Sequence, residues 1–235
     1  MAISTAQRNF INMIGKFARQ NYDAGKLILP SVCIAQACCE SGYGTTRKMT
    51  DANAVFGIKV GKSAYKFGDA WKGAAYSTKT REVINGDSIY ITDLFRAYDS
   101  IEDSVTDYYD MLCHASRYKK AVGAKTPEAT ITAIKEGGYA TDPNYISLIL
   151  SIIKSQRLTE FDPGGVVILE NTYPKLVNFT GSSIEKALQA VGETDYKYPH
   201  RKEIYTKNFG AGYTGTSAQN LLMIKYLKSG LLLKA

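Results

Sequence analysis

Histidine and cysteine are too scarce in this chain to build the usual metal centres. The two histidines, His114 and His200, lie far apart, and the four cysteines, Cys33, Cys38, Cys39 and Cys113, form no C-x-x-C pair. A zinc site needs three or four such ligands at motif spacing, so neither a metal nor another cofactor is expected. Three of the cysteines crowd one segment and two of them are adjacent. That is the pattern of buried thiols in a reducing compartment rather than of a disulfide framework. A Cys–His nucleophile is also disfavoured, because Cys113 and His114 are sequence neighbours, and helix neighbours point apart. Long apolar runs are missing as well. The stretch 146–153 is broken by serines and is far too short to span a membrane. The first ten residues, MAISTAQRNF, contain no basic stretch followed by an apolar one, so no secretory signal is expected.

What is present fits a soluble globular protein. Of the 235 residues 45% are hydrophobic and 22% charged, which sets disorder and fibrous architectures aside. A net charge of +7 favours an anionic partner. No basic-aromatic stripe or recognition motif points to nucleic acid.

The hydrophobic period predicts a mainly helical domain over residues 1–158. Ser4-x-x-Gln7 is a capping box ahead of Phe10, Ile14 and Phe17. Pro30 opens a second helix, which Gly42 and Gly44 close. Asn85-Gly86, between two branched runs, predicts a tight β-hairpin within residues 60–98, where the helical period fails. Helices return after Ser100, after Thr126-Pro127 and after Asp142-Pro143. Residues 159–181 carry Pro-Gly-Gly and a short β-prone run and are read as a connector. Residues 182–235 predict three short helices, begun by Ser183, Pro199 and Thr216 or Ser217. With 8 basic and 4 acidic side chains, this segment is the most basic part per residue. The expected fold class is therefore α+β, a helical domain with a small β-hairpin lobe, followed by a small three-helix domain.

Glu40 is the most informative residue. It falls in the last turn of an almost wholly apolar helix, where the negative end of the helix dipole and apolar neighbours both disfavour its charge. That environment suits a general acid near neutral pH. A solvated glutamate at a frayed end is the alternative reading. Glycoside hydrolysis usually needs a second carboxylate, and Asp51, Glu82, Asp87, Asp99 and Glu102 are candidates. Asp99 and Glu102 sit where a helix begins, so capping accounts for them. Glu82 lies three residues before Asn85-Gly86 on a largely apolar strand, where a hairpin could carry it over the Glu40 helix or simply expose it. Tyr43, Phe56, Tyr65, Tyr98 and Tyr139 fall at loops and element ends, where aromatic rings either stack on sugars or pack half buried.

These residues also form a pattern. Leu29-Pro30-Ser31-Val32 through Glu40-Ser41-Gly42-Tyr43-Gly44 resembles the catalytic segment of glycoside hydrolase family 73, the peptidoglycan glucosaminidases of autolysins, phage lysins and the flagellar rod hydrolase. Asn53-Ala54-Val55-Phe56-Gly57, then Thr80-Arg81-Glu82 through Tyr98-Asp99-Ser100, then Gly138-Tyr139-Ala140-Thr141-Asp142-Pro143-x-Tyr145 follow in the same order. The resemblance implies a lysozyme-like fold and cleavage of the β-1,4 bond on the reducing side of N-acetylglucosamine in bacterial peptidoglycan. By the same match, Glu40 is the general acid, Glu82 the second carboxylate and Tyr139 the tyrosine of the site. Tyr43, Asn53, Phe56, Gly57 and Tyr98 are then the sugar contacts. Tyr43 stands where the family has tryptophan, and Ala54 where it has a second asparagine.

Residues 182–235 resemble short wall-binding modules of lysins, which implies an anionic cell-wall polymer as their partner. The expected setting is a phage endolysin held in the host bacterial cytoplasm until a holin releases it onto the wall. Muramidase cleavage, lytic transglycosylation and an inactive wall-binding protein are the alternatives.

Overall fold

The first helix, α1 (Thr5–Asp23), starts at the capping box read from the sequence. Gln7 N–H donates to Ser4 Oγ at 3.2 Å, and Ser4 N–H to Gln7 Oε1 at 2.9 Å. This computed structural model describes residues 3–61, 65–84, 87–165 and 171–235, with the backbone alone at 80–84 and 87–91. It divides into two units, residues 14–166 and residues 1–13 with 167–235.

In the larger unit, α2 (Pro30–Ser41) is the core helix, with every residue from Pro30 to Cys38 buried. An apolar face all round requires such burial. Pro30 fits its first turn, where no intrahelical N–H bond is lost. Ser31 N–H donates to Asp162 Oδ1 at 2.8 Å, so a carboxylate from far along the chain caps the helix start. At the other end Gly42 adopts the left-handed conformation, φ +56°, and its N–H bonds Cys38 O. The short α3 (Arg47–Ala52) follows, which the apolar period does not announce.

β1 (Ala75–Ile84) and β2 (Asp87–Arg96) form the expected antiparallel hairpin, with Ile84 opposite Asp87. Asn85 and Gly86, the predicted turn, lie outside the described residues. Residues 58–60 run along the free edge of β2, with Val60 N–H on Leu94 O at 2.9 Å and Arg96 N–H on Ile58 O at 2.8 Å. Helices α4 (Ile101–His114), α5 (Pro127–Glu136) and α6 (Tyr145–Gln156) complete the lobe. Ser100 and Thr126 cap α4 and α5 as read, accepting from Asp103 N–H and Ala129 N–H. α6 begins two residues past Pro143, after Asp142 Oδ1 accepts from Asn144 N–H at 2.8 Å. A 3₁₀ turn at Leu158–Phe161 lies against α2 and α6. A Cβ on Gly15 would fall 2.2 Å from the Phe161 ring, so the glycine makes room for that ring.

In the smaller unit, α7 (Ile184–Ala190), α8 (Tyr198–Phe209) and α9 (Ser217–Ser229) are the three predicted helices. Thr216, not Ser217, caps α9, and Gln219 closes a full capping box. Thr172 bridges Leu233, so residues 171–173 pair with the chain's last residues. The β-prone run 166–170 lies outside the described residues. No described helix is long and apolar enough to cross a membrane.

Candidate active site

The fixed end of α2 sets the position of Glu40. Ser41 Oγ donates to Ala37 O at 2.6 Å and accepts from Gly44 N–H at 2.8 Å, and Tyr43 N–H reaches Cys38 O at 3.0 Å. Carbonyls that a helix end leaves open are thereby occupied, so the last turn does not fray.

Glu40 is half-buried, and burial pushes its carboxyl above the usual carboxylate range. A hydrogen bond from Tyr145 and the charge of Lys48 oppose that push. Tyr145 Oη donates to Glu40 Oε1 at 3.0 Å. Behind it runs a directional chain. Gln36 Nε2 donates to Tyr145 Oη at 2.9 Å, and Tyr108 Oη donates to Gln36 Oε1. Gln36 lies one turn before Glu40 on the same face of α2 and is fully buried. One of its amide N–H groups is accepted by the tyrosine oxygen, which leaves the tyrosine proton for Glu40.

Glu40 opens onto a cleft of about 450 Å³. One wall is the segment from Phe56 to Gly61, with Tyr65 and Phe67 beyond it. The other is made by Met111, by Arg117 and Tyr118 of a 3₁₀ turn, and by Gly138 and Tyr139. Phe56 stacks on Tyr108 with ring centroids 4.0 Å apart. The Tyr139 ring lies among Tyr108, Tyr118 and Tyr145. Its hydroxyl is buried and has no hydrogen-bond partner among the described residues. Burial raises its pKa well above that of free tyrosine, so it stays a neutral donor.

Arg96 forms part of the lining, yet its guanidinium is committed inward. Nη1 meets both oxygens of Asp107 at 2.9 Å, and the group lies 4.3 Å from the Trp71 ring centroid. Tyr98 Oη donates to Asp107 Oδ2 at 2.8 Å. Burial pushes the Asp107 carboxyl up, and the Tyr98 bond and the Arg96 charge hold against that push.

Of the residues singled out by sequence, the structure gathers Glu40, Phe56, Gly57, Tyr65 and Tyr139 around one cleft. Asn53, Tyr43 and Tyr98 are not among its lining residues. Asn53 has φ +53° at the end of α3 and donates to Tyr98 O at 2.8 Å. Tyr43 follows Gly42 with φ +57°. Glu82 lies on β1 opposite Ile89, and its side chain is outside the described residues. Asp51 accepts from Tyr76 Oη at 3.0 Å. Sequence reasoning passed over Gln36, Tyr108 and Tyr145 as site residues, although an amide inside an apolar helix was a visible signal. The four cysteines are free thiols, and burial raises the pKa of Cys33, Cys39 and Cys113, the reverse of what a nucleophile needs.

The chain resembles a known protein family. The Glucosaminidase family model, described as mannosyl-glycoprotein endo-beta-N-acetylglucosaminidase, matches residues 16–158. The chain is 30% identical over 190 residues to exo-glucosaminidase LytG of Bacillus subtilis, covering 79% of this chain and 62% of that protein. It is 34% identical over 128 residues to peptidoglycan hydrolase FlgJ of Salmonella typhimurium, covering 53% of this chain and 38% of that protein. It thus spans less than two thirds of either relative. The crystal structure of the catalytic domain of the autolysin Auto from Listeria monocytogenes matches with a TM-score of 0.58 at 30% identity, over 69% of this chain and 90% of that one. The helical lobe with its two-stranded hairpin is therefore a lysozyme-like α+β fold.

Proposed function

The chain belongs to the glucosaminidase family, and we propose that it hydrolyses the β-1,4 bond of the peptidoglycan glycan strand as an endo-β-N-acetylglucosaminidase. The observation that carries this reading is Glu40, a carboxyl raised by burial and facing an aromatic-lined cleft within the usual size range of ligand sites. In the protonated form Glu40 gives its proton to the glycosidic oxygen as the C1–O bond breaks. Glu82, the substrate acetamido oxygen, or both in turn, meet the positive charge left on the sugar. Water then adds its oxygen to C1, and its spare proton passes to whichever carboxylate is ionised. Tyr145 steadies the carboxylate that Glu40 becomes, because the Gln36 amide keeps the tyrosine donating toward it. The Tyr139 ring, part of the cleft lining, packs against the sugar.

Mass spectrometry of digested peptidoglycan tests the bond. N-acetylglucosamine at the new reducing ends is expected. N-acetylmuramic acid there would mean muramidase action, and an anhydro sugar would mean lytic transglycosylation. Long products distinguish endo cleavage from the exo action named for LytG.

Residues 182–235 are proposed to bind an anionic wall polymer, which their basic balance supports, and so to raise the enzyme's local concentration at the wall. The proposed setting, a phage endolysin released from the host cytoplasm by a holin, rests on the sequence reading. Expression in the host with and without a membrane-permeabilising partner checks it, lysis being expected only with the partner.

A further inference from the structure

We propose that Arg117 forms a subsite for a carboxylate carried by the glycan, beside the bond presented to Glu40. The proposal rests on the glycan-hydrolase reading above and names a chemical feature of the substrate. The cleft's described lining holds three basic side chains, Lys59, Arg96 and Arg117, and one acidic one, Glu40. Two of the cations are already compensated, Lys59 by Asp93 at 2.9 Å and Arg96 by Asp107. Arg117 is exposed and has no ion pair among the described residues.

Its position is nonetheless built. The guanidinium carbon lies 4.6 Å from the centroid of the Tyr118 ring, and Tyr118 is itself buried. A Cβ on Gly137 would fall 2.4 Å from the Tyr118 ring and 2.8 Å from Arg117 O. The turn Ser116–Tyr118 therefore packs directly against Gly137, next to Gly138 and Tyr139 of the cleft wall. A stacked guanidinium keeps its in-plane N–H edge open, the geometry that takes a carboxylate bidentately. Glu40 does not oppose such a ligand, because it is neutral when it acts as the acid. Arg117 is then the cleft's one uncompensated charge among the described lining residues, and an acidic glycan is favoured over a neutral one.

On peptidoglycan that carboxylate has two sources. One is the lactyl group, which is free once an amidase has removed the stem peptide. The other is the stem peptide itself. The test uses full-length protein and two soluble glycans, one amidase-trimmed and one with intact stems. Each is assayed as it is and with its carboxylates capped as methylamides. For the parent, capping is expected to raise KM about tenfold on at least one glycan, with kcat moving less than about twofold. For Arg117→Gln the capped-to-uncapped KM ratio should fall close to one, and Arg117→Lys should recover part of it. The trimmed or the intact glycan showing the effect assigns the lactyl or the stem carboxylate. If Arg117→Gln keeps the parent's ratio, or if capping leaves the parent's KM unchanged, the subsite is wrong while the hydrolase reading stands. A parent inert on all four substrates overturns both.

Discussion

Glu40 and Asp107 are both acids that burial pushes toward the neutral form, yet their neighbours give them opposite roles. Asp107 is fully buried and faces Arg96, whose charge cannot be removed at working pH. Glu40 is less buried and is met by a neutral donor, Tyr145, with no ion pair to it among the described residues. Neutralising Asp107 would strand a guanidinium, so its proton has no reason to come and go. Glu40 feels the Lys48 charge but holds no ion pair among the described residues, so it can change state without breaking one. Depth of burial therefore does not mark the acid of a site; the charge of the nearest partner does.

The sharpest way to break this contrast is Glu40→Gln. A positioned general acid is typically worth about 10²- to 10⁴-fold, so release of reducing ends from peptidoglycan should fall by about that factor while circular dichroism stays unchanged. A variant that keeps the parent's rate would remove Glu40 from the chemistry. At the other carboxyl the expectation reverses. Asp107→Asn leaves Arg96 buried beside a neutral amide, and breaking a buried pair costs about 3–5 kcal/mol. Urea unfolding should show that loss, with activity falling only as the folded fraction falls. If Asp107→Asn instead abolished activity at full stability, the structural reading of the Arg96–Asp107 pair would be wrong.

Sequence and structure meet unevenly across these two places. The placement of Glu40 was readable because Pro30, the apolar run and Gly42 are local signals, and a carboxyl in a last turn follows from counting. The hairpin was readable from Asn85-Gly86 for the same reason. The chain Tyr108–Gln36–Tyr145–Glu40 was not, since its members lie 72, 109 and 105 positions apart, and no local period reports such a meeting. Asp162 at the start of α2, 131 positions from Ser31, was hidden in the same way. The aromatics at element ends divided between two fates. Phe56, Tyr65 and Tyr139 line the cleft, while Tyr98 gives its hydroxyl to Asp107. Nothing at the level of spacing separates those fates.

Tyr145→Phe sharpens the comparison from the partner's side. The bond it removes stabilises ionised Glu40, so the Glu40 carboxyl should rise further. The alkaline limb of the kcat/KM–pH profile, where the acid loses its proton, should then move to higher pH. Gln36 Nε2 also loses its acceptor in the interior, which costs about 1–3 kcal/mol in unfolding free energy. An alkaline limb that stays put or moves down would show that Tyr145 does not tune Glu40.

The smallest expected effect separates the two acids by stability alone. Glu40 holds its proton more tightly folded than unfolded, because burial raises its folded pKa above the ordinary value of 4.5. Its contribution is therefore fully favourable below the unfolded value and is lost as pH rises toward the folded one. Above that window the parent carries a constant penalty, which Glu40→Gln does not share, since an amide keeps an acceptor for Tyr145 and has no charge to desolvate. The Tm of Glu40→Gln minus that of the parent should thus grow from acid to neutral pH and then level off, each ~1 kcal/mol reading as about 2–4 °C. At Asp107 the same removal of charge lowers Tm at neutral pH, because the stranded guanidinium outweighs the relief. Catalytic and structural burial of an acid would then be distinguished by the sign of one Tm difference, and a Glu40→Gln protein less stable than its parent at neutral pH would overturn the contrast.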